Sequence, residues 1–253
     1  MQVKVKFCGL FRKQDIDYAN ALLPDFVGFI FVKNSKRFVD FRIAKNLKAR
    51  LDLNIKAVGV FVDSPVKCIC EVVSNDIIDI VQLHGSEDND YVSTLRENLQ
   101  KHCGKVTPII KAVKMWDSNS LQESLGLNAD FILLDSANAG SGVAFDWNLL
   151  TQKLQSQNVE SQSLQARDLS SMKSMDLQSQ DVDFKDFKCD FGARFFLAGG
   201  INADNITQAI ALNPYCIDIS SGIESQGIKD FAKMQQIITT VREYKKHKAI
   251  FQK

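Results

Sequence analysis

Eight short apolar runs, each closed by a polar or glycine turn, constrain this chain more than any other feature. They are VKVKFC at 3–8, FVGFIF at 26–31, KAVGVFV at 56–62, IIDIVQL at 77–83, PIIKAV at 108–113, DFILLD at 130–135, FFLA at 195–198 and CIDIS at 216–220. Val, Ile and Phe dominate them, as in strands. All but one of the intervals between their starts run 21 to 31 residues, room for a strand, a loop and one crossover helix. Eight such units predict a closed parallel (β/α)8 barrel, and 253 residues is a usual length for one. An open doubly wound sheet is the other arrangement that this alternation permits; the glycine-rich loops after the seventh and eighth runs favour the barrel.

The exceptional interval, 65 residues between the sixth and seventh runs, contains TQKLQSQNVESQSLQARDLSSMKSMDLQSQDVDFKDFK. Gln, Ser and Asp crowd it, and it is too poor in apolar residues to support a core of its own. The expectation is one barrel domain over 1–253 with a solvated insertion at about 155–190, on the face away from the catalytic rim.

Charge and targeting signals narrow the class. A net charge of +1 with 24% charged residues gives no footprint for nucleic acid or an acidic membrane. The N-terminus MQVKVKFCGLFRKQD lacks a signal-peptide apolar run, and no stretch reaches the ~18 apolar residues of a membrane span, so the cytoplasm is expected. Cys8, Cys68, Cys70, Cys103, Cys189 and Cys216 form no CxxC pair, and His84, His102 and His247 stand far apart. Reduced thiols and no metal site are therefore expected.

In a barrel, function is written where strands stop. Those ends carry Cys8, Phe31, Asp63, Gln82 with His84, Lys111, Asp135, Gly199 with Gly200, and Ser220 with Ser221 and Gly222. The two-residue strand period puts Val3, Val5 and Phe7 on one face and Lys6 and Cys8 on the other, toward the barrel axis. The same period turns Asp135 inward from strand six. A thiol and a carboxylate at one mouth suit an aldose-to-ketose shift, in which one group protonates an oxygen while another removes a proton from the adjacent carbon. Lys6 or Arg37 would lower the thiol pKa for that task. A buried, inert cysteine fits the same spacing. Gly199, Gly200, Ser220, Ser221 and Gly222, on the seventh and eighth loops, are positioned to bind phosphate through backbone amides.

Seven segments in order carry a resemblance: KFCGL, GFIFVKNSKRFV, KAVGVFVD, DIVQLHGSED, LLDSANAGSGVAFDW, LAGGINADNI and IDISSGIESQGIKD. The chain closely resembles the phosphoribosylanthranilate isomerases of tryptophan biosynthesis, outside roughly 155–190. The resemblance implies a (β/α)8 barrel that rearranges N-(5-phosphoribosyl)anthranilate to 1-(2-carboxyphenylamino)-1-deoxyribulose 5-phosphate without metal or organic cofactor. It implies Asp135 as general acid, Cys8 as general base, Arg37 at the anthranilate carboxylate, Asp218 at the sugar, and Gly140 and Gly142 in a substrate loop. Ser136 stands where the family usually has threonine, and the family's G-G-T-G-x-x-F loop reads AGSGVAF here. A histidine-pathway relative would carry a carboxylate at the end of strand one, where this chain has Cys8. A phosphorylated small molecule is the expected partner, for a monomer or homodimer.

Overall fold

The computed structural model describes residues 2–115, 126–136 and 195–250. Within them, β1 (Lys4–Cys8), β2 (Phe26–Ile30), β3 (Lys56–Phe61), β4 (Ile80–Leu83), β5 (Ile109–Met115), β6 (Phe131–Ser136), β7 (Phe195–Leu197) and β8 (Cys216–Ile219) pair in chain order, all parallel, and close as β8 pairs with β1. The described helices are α1 (Lys13–Leu22), α2 (Phe41–Lys48), α3 (Val66–Ser74), α4 (Asn89–Cys103), α5 (Ile206–Ala211) and α6 (Phe231–Ile250). All eight sequence-predicted strands are present. The expected insertion at about 155–190 lies outside the described residues, as do Gly140 and Gly142.

Strand alternation sorts the buried side chains into two cores. Val5, Phe7, Val81, Ile132 and Ile217 point outward and pack with Ile16, Leu95 and Ile237 of the helices. Phe26, Val58, Ile80, Ile110, Phe131, Leu133, Phe196 and Cys216 fill the barrel interior. Phe131 and Phe196 meet edge to face at 5.5 Å, and Phe131 stacks on Tyr215 at 5.1 Å. This aromatic packing makes the interior solid, as barrel interiors are, so a ligand can enter only above it.

The fourth strand starts at Ile80, three residues later than its apolar run begins. Ile77 and Ile78 are spent on the outer core, and Asp79 closes the junction. Its carboxylate accepts from Ala57 N at 2.6 Å and from Lys48 Nζ at 2.5 Å, while its own N–H donates to Ala57 O. Helix starts carry their own signals. Asp40 accepts from Ile43 N and Asp88 from Tyr91 N, each satisfying a donor the helix leaves unpaired. Buried Asp15 accepts from Phe11 N, Arg12 N and the Arg12 guanidinium, pinning the loop after β1.

Sequence reading treats the residues after β8 as loop; they form a 3-10 turn at Ser221–Ile223 and a hairpin, β9 (Glu224–Ser225) and β10 (Ile228–Lys229). Gly227, at φ 79°, supplies the left-handed backbone that so tight a hairpin turn needs.

Above the aromatic floor lies a charged layer. Lys6, with no exposed surface, donates to Asp218 Oδ2 and Gln82 Oε1, both at 2.8 Å. Lys6 and Asp218 are direct partners in the β1–β8 ladder, so this ion pair sits on the seam that closes the barrel. Removing one member of a buried pair strands the other charge. Asp218→Asn is expected to lower unfolding free energy by about 3–5 kcal/mol, seen as an earlier urea midpoint at unchanged slope. A loss below about 1 kcal/mol would show that Lys6 is compensated without that charge.

Candidate active site

A cleft of about 750 Å³ opens at the C-terminal ends of the strands, lined by Cys8, Arg37, Gln82, His84, Asp135, Asp218 and the loops carrying Gly199, Gly200, Ser220 and Ser221. Cys8, Asp135, Arg37, Asp218 and four of the five residues predicted for phosphate thus reach one cavity. Gly222 does not line it. A Cβ there would lie 1.9 Å from Ile201 O, so the missing side chain lets the seventh and eighth loops touch behind the cleft. Gly199 and Gly200 sit at φ 90° and 64°, in the left-handed region where glycine is unstrained. Asn205 Nδ2 and Asn202 Nδ2 both donate to Gly200 O, fixing the turn.

Two charged strand-end residues, Lys111 and Asp63, are not part of the cleft. Lys111 turns to Glu87 Oε2 at 2.8 Å and Gly85 O at 2.7 Å. Glu87 also accepts from Asp63 N and Gly85 N, and Asp63 Oδ1 accepts from Ser86 N and Oγ. These polar groups brace the β3 and β4 loops and leave the mouth to others.

Cys8 lies beside Gly28 in the β1–β2 ladder. A Cβ on Gly28 would stand 2.7 Å from the thiol sulfur, so glycine makes the space that the sulfur occupies. Burial pushes the thiol pKa up, and the Asp218 charge adds to this, while Lys6 and Lys229 pull it down. The net direction is upward. The sequence expectation that nearby cations lower this pKa is therefore corrected: desolvation of the buried thiol outweighs them, and the resting group is a thiol.

Asp135 is oriented by a chain of hydrogen bonds that starts at Lys6. Because Lys6 donates to Gln82 Oε1, the Gln82 amide nitrogen faces His84 Nδ1 at 2.9 Å and donates to it. His84 Nδ1 therefore accepts, Nε2 carries the hydrogen, and Nε2 donates to Asp135 Oδ2 at 3.2 Å. Sequence reading marks Gln82 and His84 only as strand-end residues; the i, i+2 spacing that aims both side chains inward, Gln82 on β4 and His84 just after it, is their available signal.

Arg37 packs its stem over Gly9, where a Cβ would lie 2.4 Å from Arg37 Cδ. Its guanidinium grips Glu224 in a fork, Nε to Oε1 at 2.6 Å and Nη2 to Oε2 at 2.7 Å. Glu224 also accepts from Lys229 Nζ at 2.5 Å, and Lys229 donates to Ser220 O at 2.9 Å. Neither Glu224 nor Lys229 was singled out by sequence reading.

A family profile described as N-(5'-phosphoribosyl)anthranilate (PRA) isomerase matches residues 5–166 and 173–240, a span that includes every cleft residue named above. The chain belongs to the phosphoribosylanthranilate isomerase family. It is 35% identical over 244 residues to an N-(5'-phosphoribosyl)anthranilate isomerase of Endomicrobium trichonymphae, covering 94% of this chain and 98% of that one. It is 37% identical over 248 residues to that of Clostridium kluyveri, covering 96% of this chain and all of that one. Among solved structures, the phosphoribosyl anthranilate isomerase of Thermus thermophilus aligns with TM-score 0.69 at 25% identity, over 96% of this chain and 100% of that one. A phosphoribosyl anthranilate isomerase in complex with reduced 1-(o-carboxyphenylamino)-1-deoxyribulose 5-phosphate aligns equally well, TM-score 0.69 at 26% identity, over 95% and 98% of the two chains.

The Gly28 contact gives a test of how tightly this isomerase fold positions its thiol. Gly28→Ala forces sulfur or strand to move, a strain of about 1–3 kcal/mol. Turnover should fall roughly 10- to 100-fold in a variant that still melts cooperatively. Turnover within twofold of the parent would mean that the thiol's place beside β2 is immaterial.

Proposed function

We propose that the chain converts N-(5-phosphoribosyl)anthranilate to 1-(2-carboxyphenylamino)-1-deoxyribulose 5-phosphate with Asp135 as general acid and Cys8 as general base. The observation that carries this reading is the meeting of a thiol, two carboxylates, an arginine, the glycines of the seventh loop and the serines of the eighth in one cleft above a closed apolar floor. Family membership supplies the reaction, an aldose-to-ketose isomerisation in tryptophan biosynthesis.

Asp135 protonates the furanose ring oxygen, and the ring opens to a Schiff base between C1 and the anthranilate nitrogen. His84 occupies Oδ2, which leaves Oδ1 to carry the proton. The cationic nitrogen then acidifies the hydrogen on C2. Cys8, as thiolate, removes that hydrogen, and the resulting enolamine tautomerises to the ketone. The positive charge of the Schiff base favours the thiolate at the moment it is needed, since an opposite charge nearby stabilises the ionised form.

Binding is divided among the remaining groups. Backbone amides around Gly199, Gly200, Ser220 and Ser221 take the phosphate. Asp218 holds a sugar hydroxyl: its Oδ1 is buried without a hydrogen-bond partner among the described residues, and a buried carboxylate oxygen needs one. Arg37 meets the anthranilate carboxylate, and Gly140 and Gly142 would complete the substrate loop. Every step moves protons between side chains and substrate, so the scheme calls on no cofactor.

We place the enzyme in the cytoplasm as a single barrel domain with its insertion. Cys8, Cys68, Cys70, Cys103 and Cys216 are free thiols, in keeping with a reducing compartment, and no helix among the described residues is long and apolar enough to cross a membrane. A structure of the Thermotoga maritima relative concerns a dimeric enzyme; a monomer or homodimer both suit the present chain.

Purified protein should remove phosphoribosylanthranilate, followed as loss of anthranilate-type fluorescence, without added metal. Cys8→Ala and Asp135→Asn should each lower turnover by about 10²- to 10⁴-fold with the fold intact by circular dichroism. Substrate loss no faster than spontaneous hydrolysis in the parent would overturn the assignment, and a variant within a few-fold of it would remove that residue from the mechanism.

A further inference from the structure

We propose that Glu224, which does not line the cleft, is the positioning residue for Arg37 and delivers one edge of its guanidinium to the substrate carboxylate. The inference rests on the reading of Arg37 as the group that meets that carboxylate. Four observations carry it.

Glu224 is nearly buried, and its side chain is shared between two cations, Arg37 and Lys229. Two positive groups beside one carboxylate leave a net charge of +1. The cluster therefore stays attractive to an anion, yet neither cation faces the other uncompensated.

The fork uses Nε and Nη2 of Arg37. A guanidinium has five N–H donors in a fixed plane, so the second Nη2 hydrogen and both Nη1 hydrogens remain. The Nη2 hydrogen and the Nη1 hydrogen parallel to it form the other bidentate edge, of the geometry that matches a planar carboxylate. Glu224 thus selects which edge is left for the ligand.

Holding the side chain before binding removes the need to order it during binding. The stem rests directly on the Gly9 backbone, in space that a side chain there would fill. A mobile arginine would have to find this arrangement anew for each substrate.

Lys229 extends the link to the other end of the ligand. Its ammonium, with a fully buried side chain, joins Glu224 Oε1 to Ser220 O, and its carbonyl accepts from Arg12 Nη2 at 3.1 Å. The hairpin β9–β10 therefore ties the arginine that reads the carboxylate to the loop proposed for phosphate. A ligand carrying both anions is measured against a fixed span.

A double-mutant cycle on KM and kcat tests the proposal. Glu224→Gln should raise KM for phosphoribosylanthranilate about tenfold or more while kcat stays within about threefold, because the lost interaction serves binding in both ground and transition states. Glu224→Asp, which keeps the charge but is too short for both arms of the fork, should restore KM only in part. In an Arg37→Ala background, adding Glu224→Gln should change KM by less than about twofold, as expected when one residue acts through the other. An equal rise in both backgrounds would overturn the positioning role while leaving Arg37 at the carboxylate. An unchanged KM in Arg37→Ala alone would instead remove the carboxylate contact and the positioning role with it. A measurement on the unaltered protein covers variants that fail to fold: without ligand, the Arg37 Nε–H should give a slowly exchanging nitrogen-15 NMR signal, and exchange as fast as that of an exposed arginine would overturn the proposal.

Discussion

The ion pair between Lys6 and Asp218 is the constraint on which the rest of this site depends. Taking an ammonium wholly out of water costs several kcal/mol unless a charge and hydrogen bonds compensate it, and here Asp218 and Gln82 do so at 2.8 Å each. Burial opposes the charged form of Lys6, but the Asp218 charge and hydrogen bond beside it move its pKa up. Lys6 therefore stays protonated throughout the working range. Three consequences follow from that fixed charge. The seam between β1 and β8 is closed from inside, Asp218 is left with one oxygen, Oδ1, unpaired among the described residues, and Gln82 is held in the orientation that dictates the His84 tautomer. Asp135 on β6, the proposed general acid, is thus aligned from β1 through two intervening side chains.

The second organising group is the hairpin after β8. It brings Glu224 against Arg37 on the loop after β2, 187 positions away in sequence, and Lys229 against Arg12 on the loop after β1. Gly222 performs the matching task on the other side by letting the seventh and eighth loops touch. Active faces of barrels are assembled from loops of separate units. In this chain the assembly is fixed by two kinds of contact, buried ion pairs where charge must be held and missing Cβ atoms where backbones must meet.

Much of this was legible in the sequence. Strand periodicity alone turned Cys8 and Asp135 inward, because a two-residue repeat leaves no freedom once Val5, Phe7 and Leu133 are assigned to their cores. The spacing of apolar runs gave the barrel, and the glycines at the seventh and eighth strand ends gave the loops. What stayed hidden depends on contacts between distant segments. Lys111 looks like a rim cation until Glu87 is found beside it; nothing local distinguishes a free lysine from a paired one. Glu224 reads as a loop residue because its partners lie on other units. The thiol pKa was assigned the wrong direction because sequence shows which cations are near but not how completely the sulfur is buried, and burial decides the sign.

That sign bears on the central chemical claim, that Cys8 is the base. A thiol whose native pKa is raised favours the folded state most at pH values below its unfolded pKa of ~8.5, and this contribution is lost as pH rises toward the native value. The free enzyme's rate should follow the same ionisation, since kcat/KM reports the protonation state of the unliganded site. The most direct test is to titrate the Cys8 thiolate by its ultraviolet absorbance, as the difference between the parent and Cys8→Ser, and to compare it with the pH profile of kcat/KM. Both should rise together, with a common midpoint above ~8.5. A kcat/KM that has already reached its plateau while Cys8 is still a thiol would contradict the account and assign the C2 proton to another base.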